Sequence, residues 1–483
     1  MAFTRGTIVR SFFWKLFEKI GTQLIQFIVT IVLARLLLPS EYGAIALITV
    51  FIQLCYVIVD GGLNTALIQK KNADEVDFST IFYFSLAMSG VLYCAMFLVS
   101  PLIAQFFKQP ELVSVIRIIS LTIPFYAINS IQCAYVSRNM LFQRLFYCTL
   151  AAIVISGSIG ILMAYRGWGV WALVGQSMSS QILLTLIVWF VIPWRPVSKF
   201  SWSRFWGLFG YGWKIFGANF ITSLFVNIRK LVIGRFFTPA SLAYYEKGDQ
   251  LSSLVISNIT SSVQTILLPV FSEAQDDRLR VKTLMRRSTK LSCFFIYPLM
   301  VGMMVSAKPL IVFLLTEKWL PVVPFVQILC IANFFRPITL SNWEAIKALG
   351  YSGITLKLEI LKKIVDVLIL VISVYLGLYA IAWGCVLFNF LCVFINLAPN
   401  KKLLDYGIME QIIDAVPTLV ISLVMGGAVY WIQFLALPDV LIVLLQFFLG
   451  AVFYIALCHL FKEESFVYLI GMIKNKLPRL GAS

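Results

Sequence analysis

Glu246, Asp249, Ser253, Ser257, Thr260 and Gln264 follow one another at intervals of three or four within one apolar stretch. That spacing puts all six on one face of an α-helix. Two hundred positions earlier the same face reads Ala46, Thr49, Gln53, Val57, Asp60 and Asn64. The stretch before each carries a stripe of its own. One holds Lys15, Glu18, Lys19, Thr22, Gln23, Gln26 and Thr30, the other Lys214, Asn219, Thr222, Ser223, Asn227 and Lys230. Four such stripes can line a polar seam. Lys19, Lys214, Arg229 and Lys230, with Arg117 and Arg336 from other stretches, make it basic and suited to an anionic group such as a phosphate. Gln23, Gln26, Gln53, Asn64, Asn219, Ser253 and Gln264 supply neutral hydrogen-bonding groups. Asp60, Glu246 and Asp249 are the carboxylates available to contact a cation, a proton or a hydroxyl. Competing explanations exist for several of these. Lys15, Glu18 and Lys19 lie near a helix start and can snorkel or pair along the helix. Arg229 and Lys230 lie near the opposite end, and Lys214 is close to an interface. Glu359, Lys362, Lys363 and Asp366 have the spacing to pair with one another.

The elements that must position these residues follow from composition. Of 483 residues, 60% are hydrophobic and 13% charged, and the mean hydropathy is +0.91. Such a chain is an all-α, polytopic membrane protein, because a helix needs about 20 apolar residues to cross the hydrocarbon and satisfies its own backbone. Fourteen stretches qualify: 11–36, 42–63, 79–101, 113–136, 145–165, 169–192, 208–236, 242–269, 289–315, 322–343, 356–376, 379–397, 412–433 and 438–460. The first is read as a retained span, since no small-residue cleavage site follows it. The net charge of +17 is not a nucleic-acid signal here. Connections on the N-terminal side carry twenty-four Lys and Arg and those on the other side six, so both termini are expected in the cytoplasm.

The stretches repeat. "LARLLLPSEYG" at 33 and "IGRFFTPASLA" at 233 each place an arginine four residues before a proline where an apolar run ends, so Arg35 overlies Arg235 and Pro39 overlies Pro239. Further on, "YRGWGVWAL" at 165 overlies "YLGLYAIAW" at 375. The expected organisation is a six-helix lobe over 1–194, a cytoplasmic linker over 195–207, a second six-helix lobe over 208–400, two appended helices over 401–461 and a cytoplasmic tail over 462–483. An even number of spans separates the copies, so they are parallel repeats, an arrangement that places a transporter's substrate site between its halves. The tail segment "EESFVYLIGMIKNKLPRL" has the pattern of a membrane-surface helix.

Catalytic templates are missing. The chain has no GxxxxGK[ST] loop, no HExxH and no long outer loop for sugar transfer. Nine scattered cysteines and a single histidine, His459, make neither a disulfide framework nor a metal cluster, and no cofactor is expected. The glycines of "GYGWKIFG" at 210 and "GWGVWALVG" at 167 read as close helix packing.

"LARLLLPSEYGAIAL", "DGGLNTALIQKK" at 60 and "YRGWGVWALVGQ" at 165 together resemble the Wzx-type polysaccharide flippases, in the branch serving exopolysaccharide, colanic acid and teichuronic acid pathways. Their superfamily also holds drug extruders and the lipid II flippase. The resemblance implies V-shaped lobes around a central cavity and a place in the bacterial inner membrane. It implies movement of an undecaprenyl-pyrophosphate-linked oligosaccharide to the outer leaflet by alternating access, coupled to Na+ or H+ and working beside the polymerase and export machinery of the same pathway. Lys19 and Lys214 are the first choices for the head group, and Asp60 and Asp249 for ion coupling. A cation-coupled drug extruder of the same superfamily would need a more acidic seam. A membrane polymerase or ligase would need a larger outer loop.

Overall fold

The computed structural model describes residues 5–476, and every regular element among them is helical. Among the described residues, thirteen helical stretches are long and apolar enough to cross a membrane, α5 with α6 and α13 with α14 each counting as one. The chain is a multi-pass membrane protein. It divides into two compact units, Met1–Ala243 and Tyr244–Ser483.

The first unit holds α1 (Arg5–Leu36), α2 (Pro39–Asp60), α3 (Leu63–Gln69), α4 (Glu75–Phe106), α5 (Leu112–Ile119), α6 (Thr122–Arg138), α7 (Phe142–Tyr165), α8 (Val170–Val191) and α9 (Trp202–Phe236). The next helix, α10 (Pro239–Glu273), runs from the end of the first unit into the second. The second unit continues with α11 (Arg278–Val305), α12 (Ala307–Leu315), α13 (Val323–Asn333), α14 (Arg336–Ala348), α15 (Ser352–Leu376), α16 (Leu378–Leu404), α17 (Ile408–Tyr430), α18 (Asp439–Leu460) and α19 (Glu464–Lys476).

The duplicated arginine–proline turns are built as their spacing predicts, with two residues between helices in each copy: α1 ends at Leu36 and α2 starts at Pro39, α9 ends at Phe236 and α10 starts at Pro239. Proline fits a first helical turn, where its missing N–H is needed least. Arg35 and Arg235 each stand in a last turn, where a cation meets the negative end of the helix. The caps differ between copies. Glu41 reaches back to accept from the Leu38 backbone N–H at 2.7 Å, whereas the Thr238 hydroxyl accepts from the Ser241 N–H at 3.2 Å.

Several expected spans are interrupted. The stretch 113–136 is α5 and α6 with a break at 120–121, and 322–343 is α13 and α14 with a break before Arg336 and Pro337. The stretch 42–63 ends in Gly61 and Gly62, both at positive φ, a bend that only glycine makes without strain. The expected span 356–376 is α15, long enough at 25 residues. Lys357, Glu359, Lys362, Lys363 and Asp366 crowd its first four turns, and it is not among the thirteen.

Small residues set the helix spacing in the first unit, as membrane packing without a hydrophobic drive requires. A Cβ on Gly157 would lie 2.5 Å from Val29, and one on Gly160 would lie 2.7 Å from Gln176, so α7 sits close against α1 and α8. The close packing expected of the glycine-rich segments holds for Gly212, where a Cβ would lie 3.2 Å from the Gly61 carbonyl, and for Gly175 beside Met163. Gly167, Gly210 and Gly217 face open space instead. In the tail, α19 folds back: Phe466 and Leu469 pack on a cluster of Phe294, Val301, Ile421 and Tyr454. The tail beyond 476 and the side chains of Arg5 and Arg10 lie outside the described residues.

Candidate functional site

Within each unit most residues of the polar stripes are exposed or half-buried, with Asn227 on α9 a buried exception. On α10 none of Glu246, Asp249, Ser253, Ser257, Thr260 and Gln264 is buried, and on α2 and α3 the same is true of Thr49, Gln53, Asp60 and Asn64. Lys19 and Gln26 on α1 and Lys214 and Asn219 on α9 are exposed, while Gln23, Arg229 and Lys230 are half-buried. A span that keeps such residues off the packed core has them available for a watered pathway.

Some of these groups meet. The α2 and α9 helices run antiparallel, Leu47 against Gly234 at one end and Gly62 against the Gly212 carbonyl at the other. Midway between these points the Asn227 side-chain amide donates to the Gln53 carbonyl at 3.4 Å, and Asn227 is otherwise buried. At the α2 to α3 bend the Asn64 amide donates to the Asp60 carboxylate, so this carboxylate has a neutral partner. Behind it Tyr56 donates to Thr122 at 2.9 Å and stacks on Tyr126 at 4.0 Å. In the second unit Ser253 donates to Asp249 at 3.4 Å and Gln264 to Glu344 at 3.4 Å.

Other candidates have local partners. Arg117 donates to the Ser100 hydroxyl at 3.1 Å and lies over the Phe97 ring at 4.2 Å, both on the last turns of α4. Arg336 opens α14 and is exposed. Lys15 pairs with Glu18 at 2.6 Å, at spacing three. Lys362 pairs with Glu359 at 2.6 Å and lies over Trp343 at 4.0 Å.

Three charged groups were not among the candidates. Lys247, between the stripe residues Glu246 and Asp249 on α10, is only 6% exposed, and its ammonium donates to Gln250 at 3.1 Å. Its one signal in the sequence is a charge beside the polar stripe. Asp77, fully buried near the start of α4, meets Lys70 at 2.7 Å and Arg204 at 3.3 Å. Arg204 also bonds the α4 cap Asp74, and that hydrogen bond holds the Asp74 carboxyl below the usual carboxylate range. Asp414, at the start of α17, takes Arg286 in a two-pronged contact at 2.8 Å, Lys290 at 3.0 Å and the Tyr406 hydroxyl at 2.7 Å. Lys290 continues to Glu464 on α19. Beside this cluster Asn342 donates to Gln411 at 2.7 Å and accepts from Asn400 at 2.6 Å, joining α14, α16 and α17.

The succinoglycan biosynthesis transport protein ExoT of Rhizobium meliloti (strain 1021) is 25% identical to this chain over 330 residues. That match covers 68% of this chain and 66% of ExoT, just under two thirds of its length. The lipopolysaccharide biosynthesis protein WzxC of Escherichia coli (strain K12) is 22% identical over 422 residues, 84% of each chain. Among solved structures, the lipid II flippase MurJ in an inward closed conformation superposes with a TM-score of 0.74 at 16% identity, covering 93% of this chain and 99% of that one. At that identity the likeness shows the fold. The polysaccharide biosynthesis protein family matches residues 32–324, more than half of the sequence, and the chain belongs to that family.

Proposed function

We propose that the chain is a flippase that moves an undecaprenyl-pyrophosphate-linked oligosaccharide from the cytoplasmic to the outer leaflet of the bacterial inner membrane, with both termini in the cytoplasm. The observation that carries this reading is the set of uncovered polar faces on α1, α2, α9 and α10 in a member of a polysaccharide biosynthesis family. A doubly anionic, hydrated head group crosses hydrocarbon unaided only at a prohibitive desolvation cost. A route lined by Lys19 and Lys214, with Arg229 and Lys230 further along α9, replaces lost water with charge-assisted contacts. Gln23, Gln26, Gln53, Asn219, Ser253 and Gln264 then meet the sugars. Asp60, Glu246 and Asp249 couple movement to Na+ or H+. The covalent chemistry of polymer synthesis is left to other proteins. Two parallel six-helix repeats, 1–194 and 208–400, supply the alternating movement, and 401–461 is appended to them.

Deleting the gene and complementing it with wild type or with Lys19→Ala plus Lys214→Ala tests this reading. Expected is loss of surface polysaccharide on deletion, with intact lipid-linked repeat units accumulating, and a double variant that is made at normal levels yet restores less than about a tenth of the polymer. Unchanged polymer with new sensitivity to cationic drugs would replace the flippase reading with the extruder.

A further inference from the structure

The middle of α2 and the last turns of α4 and α9 in the first unit enclose a cleft of about 550 Å³, within the size range of ligand sites. All three helices are candidate membrane spans. Of the ten residues lining the cleft, Arg235 alone carries a charge; Phe51 comes from α2, Leu102 and Phe106 from α4, Leu231 and Phe236 from α9. Leu102, Phe106 and Phe236 are 63%, 54% and 64% exposed, so the cleft opens on an apolar surface. In a bilayer that surface meets hydrocarbon.

Arg235 sits in the last turn of α9, half-buried, with its guanidinium 4.8 Å from the centre of the Phe106 ring. Among the described residues it forms no ion pair with a carboxylate. A guanidinium held on an aromatic face at the mouth of an apolar cleft offers its planar donors to an anion at the hydrocarbon edge, and a phosphate takes such donors in pairs. A long side chain that only snorkels needs no cleft beneath it.

We propose that this cleft binds one chain of a phosphate-bearing lipid, the hydrocarbon lying against Phe51, Leu102 and Leu231 and the phosphate on Arg235. The proposal rests on the membrane setting of these helices and not on the substrate of transport. Two sources share the chemistry: a bilayer phospholipid, and a polyprenyl-linked molecule of the kind the flippase reading invokes.

The test uses the full chain in vesicles of phosphatidylethanolamine and phosphatidylglycerol, with three diazirine probes: a polyprenyl phosphate, a phosphatidylglycerol and a polyprenol without phosphate. After photolysis, labelled peptides are mapped. At least one phosphate-bearing probe is expected to label 99–107 and 231–236 about tenfold more than polyprenol does. Arg235→Gln removes that preference, Arg235→Lys keeps most of it, and Leu102→Trp lowers labelling by every probe by filling the cleft from an exposed position. Polyprenyl phosphate ahead of phosphatidylglycerol assigns the site to a polyprenyl-linked lipid, and the reverse or a tie assigns it to the bilayer. Labelling that ignores both the phosphate and Arg235→Gln, or that does not exceed labelling of the exposed α18 face at Leu444 and Phe447, overturns the proposal. Cleft labelling by a chain that fails to restore polysaccharide sinks the flippase reading alone; restored polysaccharide without cleft labelling sinks the cleft alone.

Discussion

Asp414 and Gln53 both stand on membrane helices, and the two are held in opposite ways. The Asp414 carboxylate is buried and receives two cations and a tyrosine hydroxyl at 2.7–3.0 Å, from α11 and from the connection ahead of its own helix. Asp77 in the first unit is treated alike, with Lys70 and Arg204 around a fully buried carboxylate. Gln53 is exposed and has one long contact at 3.4 Å. Lys214 and Lys19 on neighbouring stripes are exposed as well. Polar groups whose partners are all supplied by the protein fix helices to one another, because freeing one leaves a desolvated charge. Polar groups left uncovered keep hydrogen-bonding capacity for something that arrives from outside. On the proposed reading the first set is scaffold and the second lines the pathway, and substitutions in each should fail differently.

The largest effect is expected at the scaffold. Arg286→Ala leaves Asp414 buried with Lys290 and Tyr406 alone, and loosens α17 from α11. The Arg286 side chain is 52% exposed while Asp414 is buried, so its removal takes one charged partner from a buried carboxylate, at a cost on the order of 2–3 kcal/mol. Thermal unfolding of the full chain in detergent should therefore show a markedly lower midpoint, and the amount of protein in the membrane should fall. Lys214→Ala, measured the same way, should move the midpoint hardly at all. If Arg286→Ala kept wild-type stability, the Asp414 cluster would belong with the uncovered groups, and the division drawn here would fail.

A smaller effect is expected where α2 meets the turn before α10. A Cβ on Gly43 would lie 1.7 Å from the Pro239 carbonyl oxygen, a backbone atom that cannot rotate away. Gly43→Ala must push the two duplicated turns apart, and overpacking of this kind costs about 1–3 kcal/mol. The unfolding midpoint should drop by less than with Arg286→Ala, while polysaccharide output falls because the α2 and α9 faces no longer close. Gly90→Ala is the control, since nothing lies within 4 Å of a Cβ there. Equal behaviour of Gly43→Ala and Gly90→Ala would show that this close approach is dispensable.

What was legible in the sequence follows the range over which each feature is encoded. Helix spans, the two arginine–proline turns and the polar stripes are set by residues a few positions apart, and local spacing reveals them. The scaffold pairs are not local: Arg204 lies 127 positions from Asp77, and Arg286 lies 128 from Asp414. No periodicity links such partners. Buried carboxylates at helix starts were therefore passed over. Lys247 was missed for a related reason. Its burial comes from packing around α10, and a lysine one step off a polar stripe reads as part of the stripe. Arg117 likewise has partners that no periodicity shows, Ser100 and Phe97 on α4, seventeen and twenty positions earlier.

The weakest contact discriminates most finely. Hydrogen bonds between membrane helices average about 0.6 kcal/mol, because polar groups in the unfolded chain also find partners. A double-mutant cycle on Gln53→Leu and Asn227→Leu, read by unfolding of the full chain, should give a coupling near that figure. If Gln53 serves the transported molecule, Gln53→Leu should lower polysaccharide output several-fold at almost unchanged stability, since an apolar side chain removes the hydrogen bond on which a sugar hydroxyl would depend. Asn227→Leu should cost more stability, because Asn227 is 3% exposed and also donates to the Ser223 carbonyl at 2.9 Å. A coupling of about 2 kcal/mol or more, with output tracking stability in both single variants, would place Gln53 beside Asp414 as a brace between α2 and α9. The uncovered face of α2 and α3 would then have to find its role in Thr49, Asp60 and Asn64 alone.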